Sequence, residues 1–149
     1  MAELDFDTRV KLAVYGATAE SGTPPPIDAI SARVGADIAT VREAYSRLRS
    51  ARLLVLDADG VTVRMAPPFS GVPTQHRVTS EGVHYHANCA WDALAIPAAL
   101  KRPGRVESRC EQTLQPLALD VGVNGPEPSP WLFHTPVPAG KWWDDIVFT

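Results

Sequence analysis

The sequence predicts an α+β fold, in which a winged-helix-like helical subdomain precedes a small antiparallel or mixed sheet packed on the helix that carries Cys89 and Asp92. Helical periodicity fills most of the first 50 residues, and short runs rich in β-branched residues follow. The 14 prolines concentrate at 24–26, 67–73 and 126–138 and separate these regions. We therefore expect a winged-helix-like subdomain over 1–66, a linker and strand over 67–82, and an α+β core over 83–149.

Residues 1–66 contain the elements of a helix-turn-helix followed by a wing. Gly22 and the prolines after it end the first helix, Gly35-Ala36 makes the next turn, and Asp37 caps the third helix. The turn Asp57-Ala58-Asp59-Gly60 separates two short strands, as expected of a hairpin. The predicted helices are Leu4–Ala19, Ile27–Val34 and 37–50, and the predicted strands are Leu53–Leu56 and Val61–Met65.

The second half is predicted to be mainly strands around one helix. Asn88 is a favoured N-cap residue and would begin that helix, and Pro97 would kink or end it. Gly125-Pro126-Glu127-Pro128 is typical of a turn. The predicted strands are Gln75–Thr79, Val83–His86, Arg105–Cys110 and Leu114–Val123.

A DNA-binding regulator is the function that a helix-turn-helix first suggests, and the third helix does carry several arginines. However, residues 1–66 hold eight basic and nine acidic side chains, a net charge of −1. Phosphate contacts supply most non-specific DNA affinity, so a DNA-binding domain usually has a basic footprint. The arginines, which are Arg42, Arg47, Arg49 and Arg52, are therefore interpreted as a solvated face, and a nucleic-acid partner is not favoured.

The composition also indicates the cellular compartment in which we expect the protein. No stretch of about 18 apolar residues exists, and the N-terminus carries Glu3, Asp5 and Asp7 in place of a basic lead. The two cysteines lie 21 positions apart without a signal peptide, which favours reduced thiols over a disulfide scaffold. We expect a cytoplasmic protein without a membrane partner.

The segment His86–Pro97 combines a cysteine and a carboxylate at helical spacing. Cys89 and Asp92 are three residues apart and would share one helix face. If Asn88 caps the helix, Cys89 lies in its first turn, where the helix dipole favours a thiolate. The alternative is an inert, buried cysteine beside a capping aspartate, because free cysteine is among the most buried residue types.

The histidines permit two interpretations. His84 and His86 would lie on one face of a strand near Cys89, which makes a zinc or copper site conceivable. No Cys-x-x-Cys or His-x₃-His pair completes such a site, so polar residues of the strand are the favoured interpretation.

The order of several motifs between Val83 and Leu119 resembles the core of the organomercurial (alkylmercury) lyases. The matching motifs are Cys89-Ala90-Trp91-Asp92-Ala93-Leu94, Pro97-Ala98, a short basic stretch, and Arg105-Val106-Glu107-Ser108-Arg109-Cys110. The ending Trp142–Thr149 is similar to that of actinobacterial relatives. Several motifs in the correct order are far more specific than a lone Cys-x-x-Asp.

The resemblance implies protonolysis of a carbon–mercury bond, with mercury as substrate and product ion and no separate cofactor. Cys89 would be the mercury ligand, since mercury is soft and prefers sulfur, and Asp92 would shuttle the proton to the departing carbon. Apolar neighbours at Trp91, Leu94 and Ile96 would favour the neutral carboxyl. The implied partners are an organomercurial or another soft-metal ligand, and mercuric reductase or small thiols.

The sequence departs from the family at one point. The lyases use a second active-site cysteine C-terminal to the matched region, and none occurs before Thr149. Cys110 matches a family cysteine with a structural role, but it would serve as a further metal ligand beside Cys89 and Asp92 if it lies close to them. A truncated chain, a lyase that works with Cys89 and Asp92 alone, and a non-catalytic family member that binds a metal, organometal or small molecule through Cys89 remain open.

Overall fold

The computed structural model describes residues 4–147 and shows an α+β protein in which three helices precede two antiparallel sheets. The first sheet has the strand order β1-β2-β3 and the second has the order β5-β4-β6-β7-β8. The helices are α1 Phe6–Ser21, α2 Ile27–Val34, α3 Ile38–Ser50 and α4 Ala90–Leu100. The strands are β1 Val55–Leu56, β2 Val63–Ala66, β3 Phe69–Ser70, β4 Arg77–Ser80, β5 Val83–His86, β6 Gly104–Arg109, β7 Pro116–Gly122 and β8 Gly125–Pro126, and a 3₁₀ helix covers Ala139–Asp144.

The helix boundaries follow local capping chemistry. Asp5 and Asp37 accept hydrogen bonds from the backbone N–H groups of Thr8 and Thr40, so each satisfies a donor that the helix leaves free. Gly22 and Gly35 end α1 and α2 in the left-handed conformation. The prediction for α2 is confirmed residue for residue, and α1 begins and ends two residues later than predicted.

The N-terminal helices and the first sheet share one core. Val10, Val14, Ile30, Tyr45 and Leu54 are fully buried within it. The predicted hairpin is present as β1 and β2, and a third strand that was not predicted, β3, pairs with β2 inside the expected linker. The linker is therefore partly a strand of the N-terminal sheet.

The helix α4 packs against one face of the second sheet. All of its pairings are antiparallel, so the mixed alternative for this sheet is wrong. Val78, Val106 and Val121 point from the sheet into a core that Ala93 and Ile96 of α4 complete.

Two local predictions in this half differ from the structure. The predicted turn at 125–128 is wrong, because Gly125 and Pro126 form β8 against β7. Pro97 lies inside α4 without ending it, and Lys101 closes the helix in the left-handed conformation.

Contacts from α1 join the two halves of the protein. The Tyr85 hydroxyl donates a hydrogen bond of 2.6 Å to the Ala19 carbonyl, and Tyr15 packs edge-on against Phe69 at 6.3 Å between ring centroids. Phe69 in turn lies 5.5 Å from the ring of Tyr85. These aromatic side chains anchor the helical part beside the start of α4.

None of the helices within residues 4–147 combines the length and apolar character needed to cross a membrane.

Candidate active site

The N-terminus of α4 carries the predicted cysteine and carboxylate. Cys89 has an extended backbone, with φ −150° and ψ 179°, and is itself the N-cap residue. Its Sγ accepts a hydrogen bond of 3.5 Å from the backbone N–H of Asp92. The prediction that Asn88 caps the helix is therefore wrong, and Cys89 lies one position earlier than expected, at the cap.

The Asn88 side chain is instead engaged with the carboxylate one turn ahead. Its Nδ2 donates to Asp92 Oδ2 at 2.9 Å and to the Phe69 carbonyl oxygen at 3.3 Å. Its Oδ1 is buried and has no partner among residues 4–147. Asn88 precedes the N-cap and is not on the helix surface, so the i, i+4 spacing of a helix does not account for this contact.

Asp92 is a partly buried carboxyl group with a perturbed protonation equilibrium. Burial raises the pKa of Asp92 above its ordinary value, because removal from water penalises the charged form. The hydrogen bond from Asn88 acts in the opposite direction and stabilises the carboxylate. The net shift is upward, so Asp92 binds a proton more readily than an exposed aspartate does.

The Cys89 thiol is also shifted toward its neutral form. Burial raises the pKa of Cys89, and the negative charge of Asp92 raises it further, against the opposing backbone hydrogen bond from Asp92. The expectation of a resting thiolate at the helix N-terminus is contradicted, because desolvation outweighs the helix N–H groups.

One aromatic residue from outside α4, Tyr15, lies near Asp92, and sequence reasoning did not identify it as part of the site. The pKa of Tyr15 is raised to about 12 by burial and by the nearby charge of Asp92. The Tyr15 hydroxyl donates to the Pro67 carbonyl at 2.9 Å. Nothing in the sequence around Tyr15 distinguishes it from other apolar positions of α1, because its proximity to Asp92 arises only from tertiary packing.

The apolar setting differs from the predicted one. Trp91 was expected to shield Asp92, but it is 53% exposed. Its ring packs against that of Phe133, with 5.6 Å between the ring centroids. Ile96 is fully buried in the core between α4 and the sheet, and Leu94 is partly buried against the same core. Of the three predicted apolar neighbours, only Ile96 is fully buried.

Cys110 lies in a different environment, in the turn that follows β6. Three hydrogen bonds lower the pKa of Cys110. The largest effect comes from the Thr113 side chain, and the backbone N–H groups of Thr113 and Gln112 add smaller effects. Within residues 4–147 no three His, Cys, Asp or Glu side chains come together in a group that could hold a metal ion. Cys89, Asp92 and Cys110 therefore do not form a three-ligand site in this structure.

The histidines have hydrogen-bond partners of their own. His84 Nδ1 lies 3.0 Å from Thr79 Oγ1, and His76 Nδ1 lies 2.7 Å from Ser108 Oγ. His86 Nδ1 accepts from the Thr74 backbone N–H at 3.0 Å. These contacts agree with the interpretation of the histidines as polar residues of the sheet.

One arginine of α3, Arg47, is paired with acidic neighbours. The guanidinium of Arg47 donates two hydrogen bonds of 2.8 Å to the carboxylate of Asp7 and lies 4.0 Å from Glu43. Arg33 of α2 donates a single hydrogen bond of 2.6 Å to the carboxylate of Glu20. This surface therefore offers less free positive charge than the sequence alone indicates.

Comparison with known proteins identifies the class. The family model described as alkylmercury lyase (MerB) matches residues 69–149, more than half of the chain. The chain therefore belongs to the alkylmercury lyase family.

The curated relatives agree with this assignment. An alkylmercury lyase of Staphylococcus epidermidis is 32% identical over 100 residues, which are 67% of this chain and 44% of that protein. An alkylmercury lyase of Bacillus cereus is 33% identical over 81 residues, 54% of this chain and 36% of that protein. The chain thus matches less than half the length of these relatives.

A solved structure shows the same fold. The crystal structure of the mercury-bound form of MerB2 superposes with a TM-score of 0.64 at 20% identity, over 86% of this chain and 62% of that chain. The α+β arrangement predicted from the sequence is therefore confirmed.

Proposed function

We propose that this protein cleaves carbon–mercury bonds by protonolysis, with Cys89 as the mercury ligand and Asp92 as the proton donor. The observation that carries the proposal is the first turn of α4, where the Asp92 N–H donates to Cys89 Sγ at 3.5 Å. The thiol and the carboxyl group therefore belong to one rigid element, within the family whose curated relatives are alkylmercury lyases.

The first step is capture of the organomercurial. Mercury is a soft ion and binds sulfur in preference to oxygen, so the Cys89 thiol exchanges its proton for the metal. A raised thiol pKa does not prevent this exchange, because metal binding deprotonates the ligand. The carboxylate of Asp92, which is next to the thiol on the helix, is the acceptor proposed for the released proton.

The second step delivers that proton to carbon. The raised pKa of Asp92 keeps the proton on the carboxyl group until the carbon of the carbon–mercury bond accepts it. The electron pair of that bond forms the new carbon–hydrogen bond, the hydrocarbon leaves, and mercury stays on Cys89 sulfur. The carboxylate that remains balances the charge of the bound metal.

A second candidate function is capture of an organomercurial or another soft metal without turnover. It is favoured by the position of Cys110, which does not join Cys89 and Asp92 in a three-ligand metal-binding group within the described part of the chain. A single thiol retains the mercury ion until another ligand removes it. Small thiols or mercuric reductase are the partners proposed for that removal.

The proposal includes a cytoplasmic setting, because the two cysteines are both unpaired and a reducing compartment keeps thiols in that state.

Four variants and phenylmercury test the proposal. Cys89→Ser is expected to lose stoichiometric phenylmercury binding, because an alcohol is a weak ligand for a soft ion. Asp92→Ala is expected to bind but to release no benzene, measured by gas chromatography with a small thiol present. Cys110→Ser and Asp120→Ala are the matched controls, since Asp120 is an exposed carboxylate paired with Arg105. Binding that survives in Cys89→Ser, or equal benzene release from Asp92→Ala and Asp120→Ala, would contradict the proposal.

A further inference from the structure

Asn88 makes contacts that a capping or surface residue does not need. Both of its amide hydrogens are directed at acceptors, Asp92 Oδ2 at 2.9 Å and the Phe69 carbonyl oxygen at 3.3 Å. Its own Oδ1 is buried without a donor among residues 4–147. A buried acceptor without a partner is unfavourable, so the two donated bonds determine how the amide lies.

The orientation of the amide follows from its two partners. A flipped amide would direct Oδ1 at a carboxylate oxygen and a carbonyl oxygen, which are both acceptors. The flip is therefore excluded even though it would leave the shape of the side chain unchanged. Phe69 belongs to β3 and Asp92 to α4, so Asn88 fixes the carboxyl group relative to the first sheet.

The role of Asn88 differs from helix capping. The Cys89 side chain already accepts the hydrogen bond of the N-cap position, so the Asn88 side chain is free of that function. The Asn88 amide instead donates a hydrogen bond to Asp92, a residue of the proposed active site one turn further along the chain.

We infer that Asn88 is a positioning residue for Asp92, which holds Oδ2 as an acceptor and thereby leaves Oδ1 as the atom that carries and transfers the proton. The inference rests on the proposed protonolysis. The Oδ1–H bond breaks as the carbon of the carbon–mercury bond takes the proton, and the electron pair of the broken carbon–mercury bond forms the carbon–hydrogen bond. The Asn88 N–H then stabilises the carboxylate that remains.

Two variants separate positioning from folding. Asn88→Ala removes the donor, and Asn88→Leu removes it while keeping the approximate size of the side chain without adding a charge beside Asp92. Both are expected to bind phenylmercury with unchanged stoichiometry but to release benzene more slowly in a single turnover. A loss of about tenfold to a hundredfold is the cost expected when a reacting group is misplaced by about 1 Å. Asn124→Ala is the matched control, because Asn124 is exposed and lies in the turn between β7 and β8.

A measurement that needs no turnover completes the test. In ¹⁵N–¹H spectra of the intact chain, the Asn88 side-chain amide should exchange slowly with solvent, and its resonances should move in Asp92→Ala. The Asn124 amide should exchange rapidly and remain unchanged. Rapid exchange of the Asn88 amide, or wild-type benzene release from Asn88→Ala and Asn88→Leu, would overturn the inference. If even the unmutated chain releases no benzene, the proposed lyase activity fails, whereas the amide spectra still decide whether Asn88 holds the carboxyl group.

Discussion

The backbone N–H of Asp92 donates to the sulfur of Cys89, and this bond places the proposed proton donor and the proposed mercury ligand on the same turn. The negative charge of Asp92 is also one of the causes that raise the pKa of Cys89. The two groups therefore affect each other both through geometry and through charge.

The first prediction concerns the relative reactivity of the two cysteines. Cys110 should react with iodoacetamide at lower pH than Cys89, because Thr113 lowers the pKa of Cys110 while burial raises that of Cys89. Alkylation across a pH series with peptide mapping measures both. In the Cys110→Ser variant, the labelling of Cys89 can be measured alone as a function of pH. Faster labelling of Cys89 at every pH would show that the helix N-terminus outweighs desolvation after all.

The second prediction is a pH-dependent stability difference at Asp92. Burial raises the folded-state pKa of Asp92 above its unfolded value, so its contribution to stability is full below the unfolded pKa and is lost as the pH rises through the folded pKa. Asp92→Asn removes this loss. Urea denaturation should show the variant gaining stability relative to wild type as the pH rises above about 4, the usual carboxyl pKa, with a constant difference once the pH exceeds the raised folded-state pKa of Asp92.

Asp120→Asn is the control for that comparison, because Asp120 is exposed and paired with Arg105. It should show no gain over the same range. Parallel pH profiles for Asp92→Asn and wild type would mean that Asp92 is not desolvated in solution.

The third prediction tests how α1 is attached to the sheet. A Cβ at Gly22 would lie 2.1 Å from the backbone oxygen of His84, whereas a Cβ at Gly35 would meet nothing within 4 Å. Both glycines have left-handed backbones, so both alanine variants pay a strain of about 1–2 kcal/mol. Gly22→Ala should cost about 1–3 kcal/mol more, the usual cost of overpacking. Equal thermal stability of the two variants would contradict the close approach of α1 to β5.

The fourth prediction separates the lyase family member from a DNA-binding regulator. Random duplex DNA should bind poorly even at low salt, because Arg47 is held by Asp7 and Glu43. Fluorescence anisotropy measures the binding and its salt dependence. Tight, salt-sensitive binding that Arg47→Glu abolishes would favour the regulator.

Much of the N-terminal half could be predicted from the sequence, because its boundaries depend on local chemistry. Asp37 and Gly35 cap helices through neighbouring residues, and α2 and α3 were predicted closely. The strand β3 was missed because it has only two residues and pairs through tertiary contact. Pro97 was expected to kink or end α4, but the helix continues to Leu100.

The proximity of Cys89 and Asp92 could be predicted more accurately than their protonation equilibria. Cys89 and Asp92 could be chosen from spacing and resemblance, yet the protonation of Cys89 depends on burial that only the fold creates. Asn88 was assigned to capping because its preference is local, whereas its actual partner is Asp92. Tyr15 was not identified, since it lies more than 70 positions before Asp92 and reaches the site through packing alone.

The most direct test of the proposed protonolysis is a single turnover of phenylmercury in D₂O. Proton transfer from Asp92 should yield benzene that carries one deuterium, with mercury retained on Cys89 until a small thiol removes it. The Asp92→Ala variant should retain the phenyl group on the bound mercury. Mass spectrometry of the hydrocarbon and of the intact protein detects both outcomes. Two results would contradict the proposed protonolysis. One is a wild-type adduct that keeps its phenyl group as long as the Asp92→Ala adduct does, and the other is the absence of any adduct on Cys89.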